Sequence, residues 1–312
     1  MILSTGVMRS IARSHPTIAL DVLASPANAA IVRTADFINT VVVFDKRRLT
    51  SYLATIQTLR RARYDAVIDC MVTAPSLTTL LLILASRARH RIGIAGRGND
   101  VAFDVTVPPD TRANAHMVDL LGALATAFGV DVAAIDKRPV LDLTVEERER
   151  AESAWRTSDP ARRVLINVSA GTAARRWEEH RYVAVMRHIR RREASVSFRV
   201  IAAPSERARG QHVARDGDGT FVDTPSIRDA FALVAAADFV FTPDTSIAHA
   251  ASAFGTPCVA MYVRGSSERW GLYQVRGESV EHPEPTLDTL TAERMIRAVD
   301  AVWDATMLRF GR

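Results

Sequence analysis

Short apolar runs rich in β-branched residues alternate with segments of helical periodicity along almost the entire chain. In the first half, the predicted strands are residues 17–24, 40–45, 65–70, 90–95 and 101–107. Helical patterns separate most of them, including 116–129 and 51–64, the latter with Leu53, Ile56 and Leu59 on one side. Alternation of this kind is typical of βαβ units and parallel sheets. The first half is therefore predicted to be a doubly wound α/β domain.

The alternation restarts in the second half after a strongly charged segment, residues 136–163. Within it, Thr144 and Glu147 have the spacing of a capping box at the start of a helix. Further strands are predicted at 163–170, 197–204, 221–225, 237–243 and 257–262. A length of 312 residues also suits two domains better than one. We therefore predict domains 1–143 and 144–312, with ligands bound at the carboxyl ends of their strands.

Composition excludes several classes of protein. A content of 48% hydrophobic and 24% charged residues is that of a soluble globular protein. Cys70 and Cys258 cannot form a disulfide framework, and no Cys/His cluster has zinc-ligand spacing. We therefore expect a cytoplasmic protein without a metal or other cofactor. The most apolar stretch, residues 77–86, is too short to cross a bilayer and is predicted to be a buried helix.

Arginines lie in clusters, for example at 60–63 and 190–192, in a chain with a net charge of +5. Such clusters are most often solvated helix faces. They also fit attraction to anionic lipid headgroups or to phosphorylated substrates, so peripheral contact with an anionic membrane stays open. Nucleic acid is not expected as a partner, because no aromatic residues are interleaved with the basic runs.

Residues 241–262, FTPDTSIAHAASAFGTPCVAMY, place an acid, two hydroxyls and a histidine between two apolar runs. We predict a strand, a turn at Asp244 and a short helix that Thr245 or Ser246 caps. The start of that helix offers N–H groups and the positive end of a dipole to an anion. His249 shares a side of the helix with the two hydroxyls, and Asp244 is expected to point outward to sugar hydroxyls. The alternative is an ordinary N-cap beside a packed histidine.

The same stretch resembles a motif of glycosyltransferase family 9, the ADP-heptose:lipopolysaccharide heptosyltransferases. In that motif Asp-Thr-Gly is followed by a histidine, then by Ala-Ala, a hydrophobic residue and Gly-Thr-Pro; here the sequence is PDTSIAHAASAFGTP. Four further segments resemble family motifs in the same order along the chain: DCMVTAPSLTTLLLILASRARHRIGIAG, INVSAGTAARRWEEHRYVAV, IAAPSERARG and MYVRGSSERWGLY. Their shared order is more specific than any one motif.

The resemblance implies a GT-B fold, in which two Rossmann-like domains face each other across a cleft. It implies that the last helix packs back on the first domain, with Met295, Val299 and Val302 as its packing stripe. It also implies inverting, metal-independent transfer of a heptose or related sugar from a nucleotide sugar such as ADP-heptose. The implied acceptor is a lipid-linked saccharide of the lipopolysaccharide core type at the inner face of the cytoplasmic membrane. Without a metal, cations and oriented dipoles must stabilise the departing diphosphate.

The resemblance also assigns residues. Arg175 stands at the position of the family's lysine and is expected to bind the donor phosphates. Together with Asp244 and His249 it forms the expected catalytic group. Glu206 is expected either to accept hydrogen bonds from the donor ribose or base, or to cap the following helix. The full set of expected donor contacts is Ala170, Gly171, Thr172, Arg176, Glu206, Ser226, Thr245, Ser246 and Ala248.

The chain departs from the family pattern in two ways. Ser246 replaces a glycine and Val168-Ser169 replaces Pro-Gly, so side chains are expected to crowd backbone that approaches the donor closely. The chain also begins with a helical pattern, where the family begins with a strand and a Gly-Asp turn whose aspartate is the expected base. Omission of that strand leaves its two neighbours without backbone partners. Either the protein starts upstream of Met1, or this form is truncated and inactive.

Asp69 and Asp104 are alternative bases in the first domain. Acceptor contacts are expected from the loops at 73–76 and 97–99. Three functions stay open on the sequence: a glycosyltransferase, a nucleotide-sugar-binding protein without catalysis, and other GT-B chemistry such as nucleotide-sugar epimerisation.

Overall fold

The computed structural model describes residues 1–71, 76–96, 100–108, 115–131, 133, 135–156 and 161–307. Residues 73–75 and 97–99, in the loops expected to contact an acceptor, lie outside these ranges. The chain divides into two compact units, one containing Leu3–Asp142 and the other Leu143–Arg312. Within the described ranges, no helix combines the length and the apolar character needed to cross a membrane.

The first unit alternates short helices and strands. Its elements are α1 (Thr5–Ser14), β1 (Asp21–Ala24), α2 (Pro26–Val32), β2 (Thr40–Val43), α3 (Leu49–Ala62), β3 (Ala66–Ile68), α4 (Leu77–Ser86), β4 (His90–Ile94), β5 (Val105–Val107) and α5 (Met117–Gly122). The side-chain oxygens of Ser25 and Ser76 cap α2 and α4. A 3-10 segment after α5 ends at Gly129, whose φ of 69° favours glycine. The initial helix and the five strands predicted here are confirmed.

All strand pairs of the first unit are parallel, but they form two separate sheets. One sheet pairs β1 with β2, and the other has the order β3-β4-β5. In the part of the chain that the structure describes, β1 pairs only with β2, and β3 only with β4. Among the described residues, β1, β2, β3 and β5 therefore each have a strand partner on one side only. That β1 and β3 are the neighbours of an omitted strand stays a prediction.

One prediction about burial in this unit is wrong. The sequence predicts a buried helix over 77–86, but in α4 only Leu82, Ile83 and Ser86 are buried. Leu53, on the apolar side predicted for α3, is 68% exposed. Both helices therefore leave apolar side chains in solvent.

The second unit begins at a capping box formed by Thr144 and Glu147, as predicted. Its elements are α6 (Val145–Trp155), β6 (Arg162–Asn167), α7 (Glu179–Arg192), β7 (Val196–Ile201), α8 (Arg207–Asp216), β8 (Thr220–Phe221), α9 (Ile227–Ala235), β9 (Phe239–Pro243), α10 (Ser246–Phe254), β10 (Cys258–Tyr262), α11 (Ser267–Trp270), β11 (Gly277–Glu281) and α12 (Ala292–Met307). The five strands predicted in this half are confirmed, whereas β11 is an addition.

One parallel sheet of six strands, in the order β11-β10-β9-β6-β7-β8, organises the second unit. The chain moves outward from β6 to β8 in one direction and from β9 to β11 in the other. The order therefore reverses between β6 and β9. In open α/β sheets, the carboxyl ends of the strands beside such a reversal form a crevice for ligands.

The last helix, α12, packs within the second unit. Met295, Val299 and Val302 are buried in the same hydrophobic core as the fully buried Trp177. Packing of the last helix on the first domain stays a prediction. The sheet of the second unit needs a helix over β10 and β11, and the stripe of α12 supplies that cover.

The unpaired edges predict unequal protection of the two units in hydrogen exchange. Alternate N–H groups of β1 and β3 lack a ladder partner, whereas β9 is paired on both sides by β6 and β10. We expect peptides covering β1 and β3 to exchange at least about tenfold faster than those covering β9, measured by mass spectrometry. Equal protection would show that the edges of β1 and β3 are covered.

Candidate functional site

One buried amide joins the carboxyl ends of β6 and β9. Asn167, the last residue of β6, donates from Nδ2 to the Oγ1 atoms of Thr242 and Thr245, at 2.9 and 3.1 Å. Its Oδ1 accepts the N–H of Ser169 at 3.1 Å. Thr242 belongs to β9, and Thr245 is the N-cap of α10. Asn167 therefore holds the loop after β6 against the start of the helix after β9.

Helix α10 begins at this junction, as the sequence predicts. The Thr245 Oγ1 accepts the N–H of Ile247 at 3.3 Å, and Gly255 ends the helix with a φ of 74°. The first turn of an α-helix presents N–H groups that have no partner within the helix, at the positive end of its dipole. The start of α10 therefore places electropositive backbone at the carboxyl ends of β6 and β9.

Arg175 lies against the turn that precedes α10. Its Nη1 is 3.2 Å from Oδ2 of Asp244 and 3.5 Å from the carbonyl oxygen of the same residue. The Arg175 side chain is 32% exposed, and the Asp244 side chain only 5%. The expectation that Asp244 points outward is wrong, because its carboxylate is buried and ion-paired. Asp244 instead fixes Arg175 beside the start of α10.

The protonation of Asp244 depends on this arginine. Burial raises the pKa of Asp244, and the Arg175 charge opposes the rise. The ion pair lacks hydrogen-bond geometry, and no donor among the described residues satisfies the buried Oδ2. An anion that draws the guanidinium away would therefore favour the protonated form of Asp244.

The loop after β6 is held at both ends. Ala170 donates its N–H to Oε2 of Glu206 at 3.0 Å. Trp177 is fully buried, and its indole N–H donates to a backbone carbonyl at 2.7 Å. Between these anchors, Gly171 and Thr172 are exposed. The loop therefore exposes its backbone to solvent while the anchors at Ala170 and Trp177 fix its position.

Glu206 is buried and bonded within the protein. Besides Ala170, it accepts hydrogen bonds at Oε1 from Nε of Arg176 and Nη1 of Arg209, both at 3.1 Å. Its side chain does not cap α8, so that alternative is wrong. One acceptor position remains on Oε2, and contact with a ribose stays a prediction. The observed role is to orient the loop and the half-exposed Arg176.

The other predicted contacts differ in accessibility. Ser246 and His249 are half-buried in the first turns of α10. Ala248 is fully buried and donates its N–H to the Thr245 carbonyl, so its predicted contact with a donor is wrong. Ser226 caps α9 with its hydroxyl. It follows β8, two strands away from β6 in the sheet order.

The residues at the Pro-Gly position do not crowd the crevice. Val168 is fully buried in the hydrophobic core. Ser169 turns its Oγ toward the backbone N–H of Ala203, which donates to it. The predicted crowding is therefore wrong for both residues, because their side chains are directed into the protein.

The two alternative bases lie at opposite ends of their strands. Asp69 follows β3 at its carboxyl end and is buried, and burial raises its pKa although the N–H of Met71 donates to it. No described residue donates a hydrogen bond to its Oδ2. Asp104 precedes β5, and hydrogen bonds from the N–H and Nε of Arg91 lower its pKa. Asp104 is therefore a structural anion at the other edge of its sheet.

The sequence reasoning missed Asn167, Thr242 and Arg209 as organisers of the site. A signal was present for the first two, since each is a polar residue at the end of an apolar strand. Arg209 gave one as well, because it lies three residues after Glu206, a spacing at which side chains of one helix meet. In the described ranges, no group of three or more His, Cys, Asp or Glu side chains is arranged to hold a metal ion.

Comparison with known families identifies the arrangement. The model of glycosyltransferase family 9 (heptosyltransferase) matches residues 52–297. The chain belongs to glycosyltransferase family 9. No curated protein matches the sequence.

Solved structures of this family share the fold. A family 9 glycosyltransferase from Veillonella parvula is 16% identical, with a TM-score of 0.83 over 96% of this chain and 92% of that one. The E. coli heptosyltransferase WaaC, solved with ADP, is 15% identical, with a TM-score of 0.75 over 98% of this chain and 96% of that one. The UDP-GlcNAc 2-epimerase of Methanocaldococcus jannaschii is more distant, with a TM-score of 0.55 at 10% identity over 96% and 89% of the two chains. The chain therefore has a GT-B fold.

Two glycines near the site are expected to respond differently to alanine. At Gly255 a side chain would be held at a φ of 74°, so Gly255→Ala should lower the free energy of unfolding by about 1 kcal/mol. At Gly171 a Cβ meets no atom within 4 Å, and Gly171→Ala should leave stability unchanged. Urea unfolding monitored by circular dichroism measures both. Equal losses would contradict the backbone geometry described here.

Asp244 predicts a characteristic dependence of stability on pH. Because its folded pKa is raised, its contribution is full below a pH of about 4 and is lost as the pH rises. The free energy of unfolding of Asp244→Asn, relative to wild type, should therefore increase between pH ~4 and ~7.

Asp300 gives the opposite sign and serves as the control. Burial disfavours its charge, but hydrogen bonds from His188 and Arg192 outweigh that effect and lower its pKa. Asp300→Asn should therefore lose stability relative to wild type as the pH rises toward ~4, and the difference should stay nearly constant between pH ~4 and ~7. Parallel curves for the two variants would refute the assignment of Asp244.

Proposed function

We propose that the chain is an inverting glycosyltransferase that moves a heptose from ADP-heptose to a lipid-linked saccharide of the lipopolysaccharide type in the cytoplasm. One observation carries the proposal: Asn167 and Asp244 fix the Arg175 guanidinium beside the first turn of α10, at the strand reversal. Structures of WaaC with ADP, and with ADP-2-deoxy-2-fluoro heptose at a TM-score of 0.74, support a donor of this class.

The donor diphosphate binds between Arg175 and the N-terminus of α10. The guanidinium pairs with phosphate oxygens, and the N–H groups of the first turn donate to the same anion. The Ser246 hydroxyl and the His249 ring, on the accessible side of the first turns, add donors. Charge develops on the diphosphate as it departs, and groups fixed in advance stabilise that charge without reorganisation.

Transfer is a single displacement. The acceptor hydroxyl oxygen forms a bond to the anomeric carbon of the donor, while the bond from that carbon to the diphosphate breaks and ADP leaves with the electron pair. The hydroxyl proton passes to a carboxylate, for which we propose Asp69. Its place at the carboxyl end of β3, its raised pKa and its unbonded Oδ2 suit a general base.

The test of the phosphate site uses isothermal titration with ADP. Arg175→Gln should weaken ADP binding about 10- to 100-fold, as expected for loss of a hydrogen bond between charged groups. Arg175→Lys keeps the positive charge but loses the planar guanidinium that can bind two phosphate oxygens at once, so a smaller loss of ADP affinity is expected. Gly171→Ala should not affect stability, so a loss of ADP affinity in this variant would mean that the donor approaches the loop closely. Arg215→Gln, at an exposed ion pair, is the matched control and should change nothing.

The test of catalysis measures transfer and donor consumption separately. Asp69→Asn should abolish transfer and leave ADP affinity unchanged. Donor binding without transfer by the wild type would instead indicate a nucleotide-sugar-binding protein. Consumption of the donor without an acceptor would indicate other GT-B chemistry, such as epimerisation. An ADP affinity that Arg175→Gln leaves intact would refute the proposed site.

A further inference from the structure

A short segment outside the sheet is bound to the loop after β6. Residues 287–290, between β11 and α12, belong to neither a helix nor a strand. The N–H of Leu287 donates to the carbonyl oxygen of Ala174 at 2.9 Å. The indole N–H of Trp177 donates to the carbonyl oxygen of Leu290 at 2.7 Å. Both leucines are buried, and we call residues 287–290 the anchor segment.

The two hydrogen bonds of the anchor segment lie on either side of Arg175 in the sequence. Ala174 directly precedes Arg175, and Trp177 follows it two residues later. The backbone N–H of Arg175 itself donates to the carbonyl oxygen of Thr172 at 3.2 Å, in a 3-10 turn. The backbone of Arg175 is therefore held through residues that the anchor segment binds, whereas its side chain is held by Asp244.

Arg181, in the first turn of α7, binds the anchor segment from the side of that helix. Its Nη1 donates to the carbonyl oxygens of Asp288 and Leu290, at 2.6 and 2.9 Å. The Leu290 oxygen thus accepts from both Arg181 and the indole of Trp177. Helix α7, the anchor segment and the loop after β6 are joined at this one oxygen.

A second attachment fixes the anchor segment to the end of the sheet. The Thr289 Oγ1 lies 2.8 Å from Nε2 of His282, within hydrogen-bond distance. His282 is buried directly after β11, and its backbone N–H donates to the carbonyl oxygen of Tyr262 at 2.8 Å. The anchor segment is therefore held by α7 on one side and by the sheet on the other.

We propose that Arg181 is a positioning residue for the donor diphosphate, acting through the anchor segment and Arg175. A cation whose backbone is ordered in advance loses less entropy when an anion binds to it. Without Arg181, the carbonyl oxygens of Asp288 and Leu290 lose their charged donor, and the loop after β6 is less firmly held. This inference rests on the proposed phosphate site and adds to it a residue that lies behind the loop.

Isothermal titration with ADP tests the proposal. Arg181→Ala should weaken ADP binding about 3- to 10-fold, because the loop is then ordered only when ADP binds. Arg181→Lys keeps a positive charge and N–H donors, so a smaller loss is expected. Thr289→Val removes the hydroxyl of the second attachment at nearly constant size and should also weaken ADP binding. Circular dichroism at the titration temperature establishes that each variant is folded.

A double-mutant cycle separates positioning from a merely structural role. In an Arg175→Gln background, Arg181→Ala should cause little further loss of ADP affinity, because its effect passes through Arg175. Equal losses in the two backgrounds would overturn the proposal. So would an unchanged ADP affinity in folded Arg181→Ala protein.

The matched control lies on the same helix. Nη2 of Arg187 donates to the carbonyl oxygen of Asp216 at 3.2 Å, and that oxygen is not part of the anchor segment. Arg187→Ala should therefore bind ADP like wild type. A loss equal to that of Arg181→Ala would show a general effect of α7 and would contradict the proposal.

The same titrations distinguish failure of this inference from failure of the proposed function. If Arg175→Gln leaves ADP affinity intact, the phosphate site is refuted, and the role of Arg181 is refuted with it. If Arg175→Gln weakens ADP binding and Arg181→Ala does not, the phosphate site stands and only the role of Arg181 is refuted.

Discussion

The side chain of Asn167 is the connection on which the site of this protein depends. β6 and β9 are adjacent strands from which the chain continues toward opposite edges of the sheet. Their carboxyl ends must be aligned before the start of α10 and the loop after β6 can bind one ligand. The Asn167 amide supplies that alignment through hydroxyls of Thr242 and Thr245. All three groups lie at the end of a buried sheet, where a polar atom left without a partner costs about 1–3 kcal/mol. The junction is therefore strongly specified.

Buried carboxylates next to this junction hold the more exposed cations of the site. The buried carboxylates of Asp244 and Glu206 hold Arg175 and Arg176, and those guanidiniums are the more exposed partners. A cation held in this way is preorganised, because its side chain is ordered before an anion arrives. Such order lowers the entropy lost on binding and keeps the dipoles of the site in place during reaction. The cost is a pair of desolvated carboxylates, of which Asp244 has a raised pKa.

The sequence predicted the elements better than the directions of side chains. Thr245 and Gly255 mark the ends of α10 by local chemistry, so their roles could be predicted without a structure. Asp244 could not, because whether a turn carboxylate faces solvent or an arginine depends on a loop 69 residues away in the chain. The same limit applies to Leu53, whose helical stripe is apolar but whose partner surface is set by tertiary packing. Local rules determine the ends of elements, whereas orientation depends on neighbours remote in sequence.

The described strands of the first unit form two sheets, whereas those of the second form one continuous sheet. The proposed phosphate site lies in the unit with the continuous sheet. A crystal structure with ADP tests the central claim most directly. We expect the diphosphate to lie between the Arg175 guanidinium and the first turn of α10, within hydrogen-bond distance of both. A diphosphate bound elsewhere, with Arg175 still paired to Asp244 and no contact to α10, would contradict it.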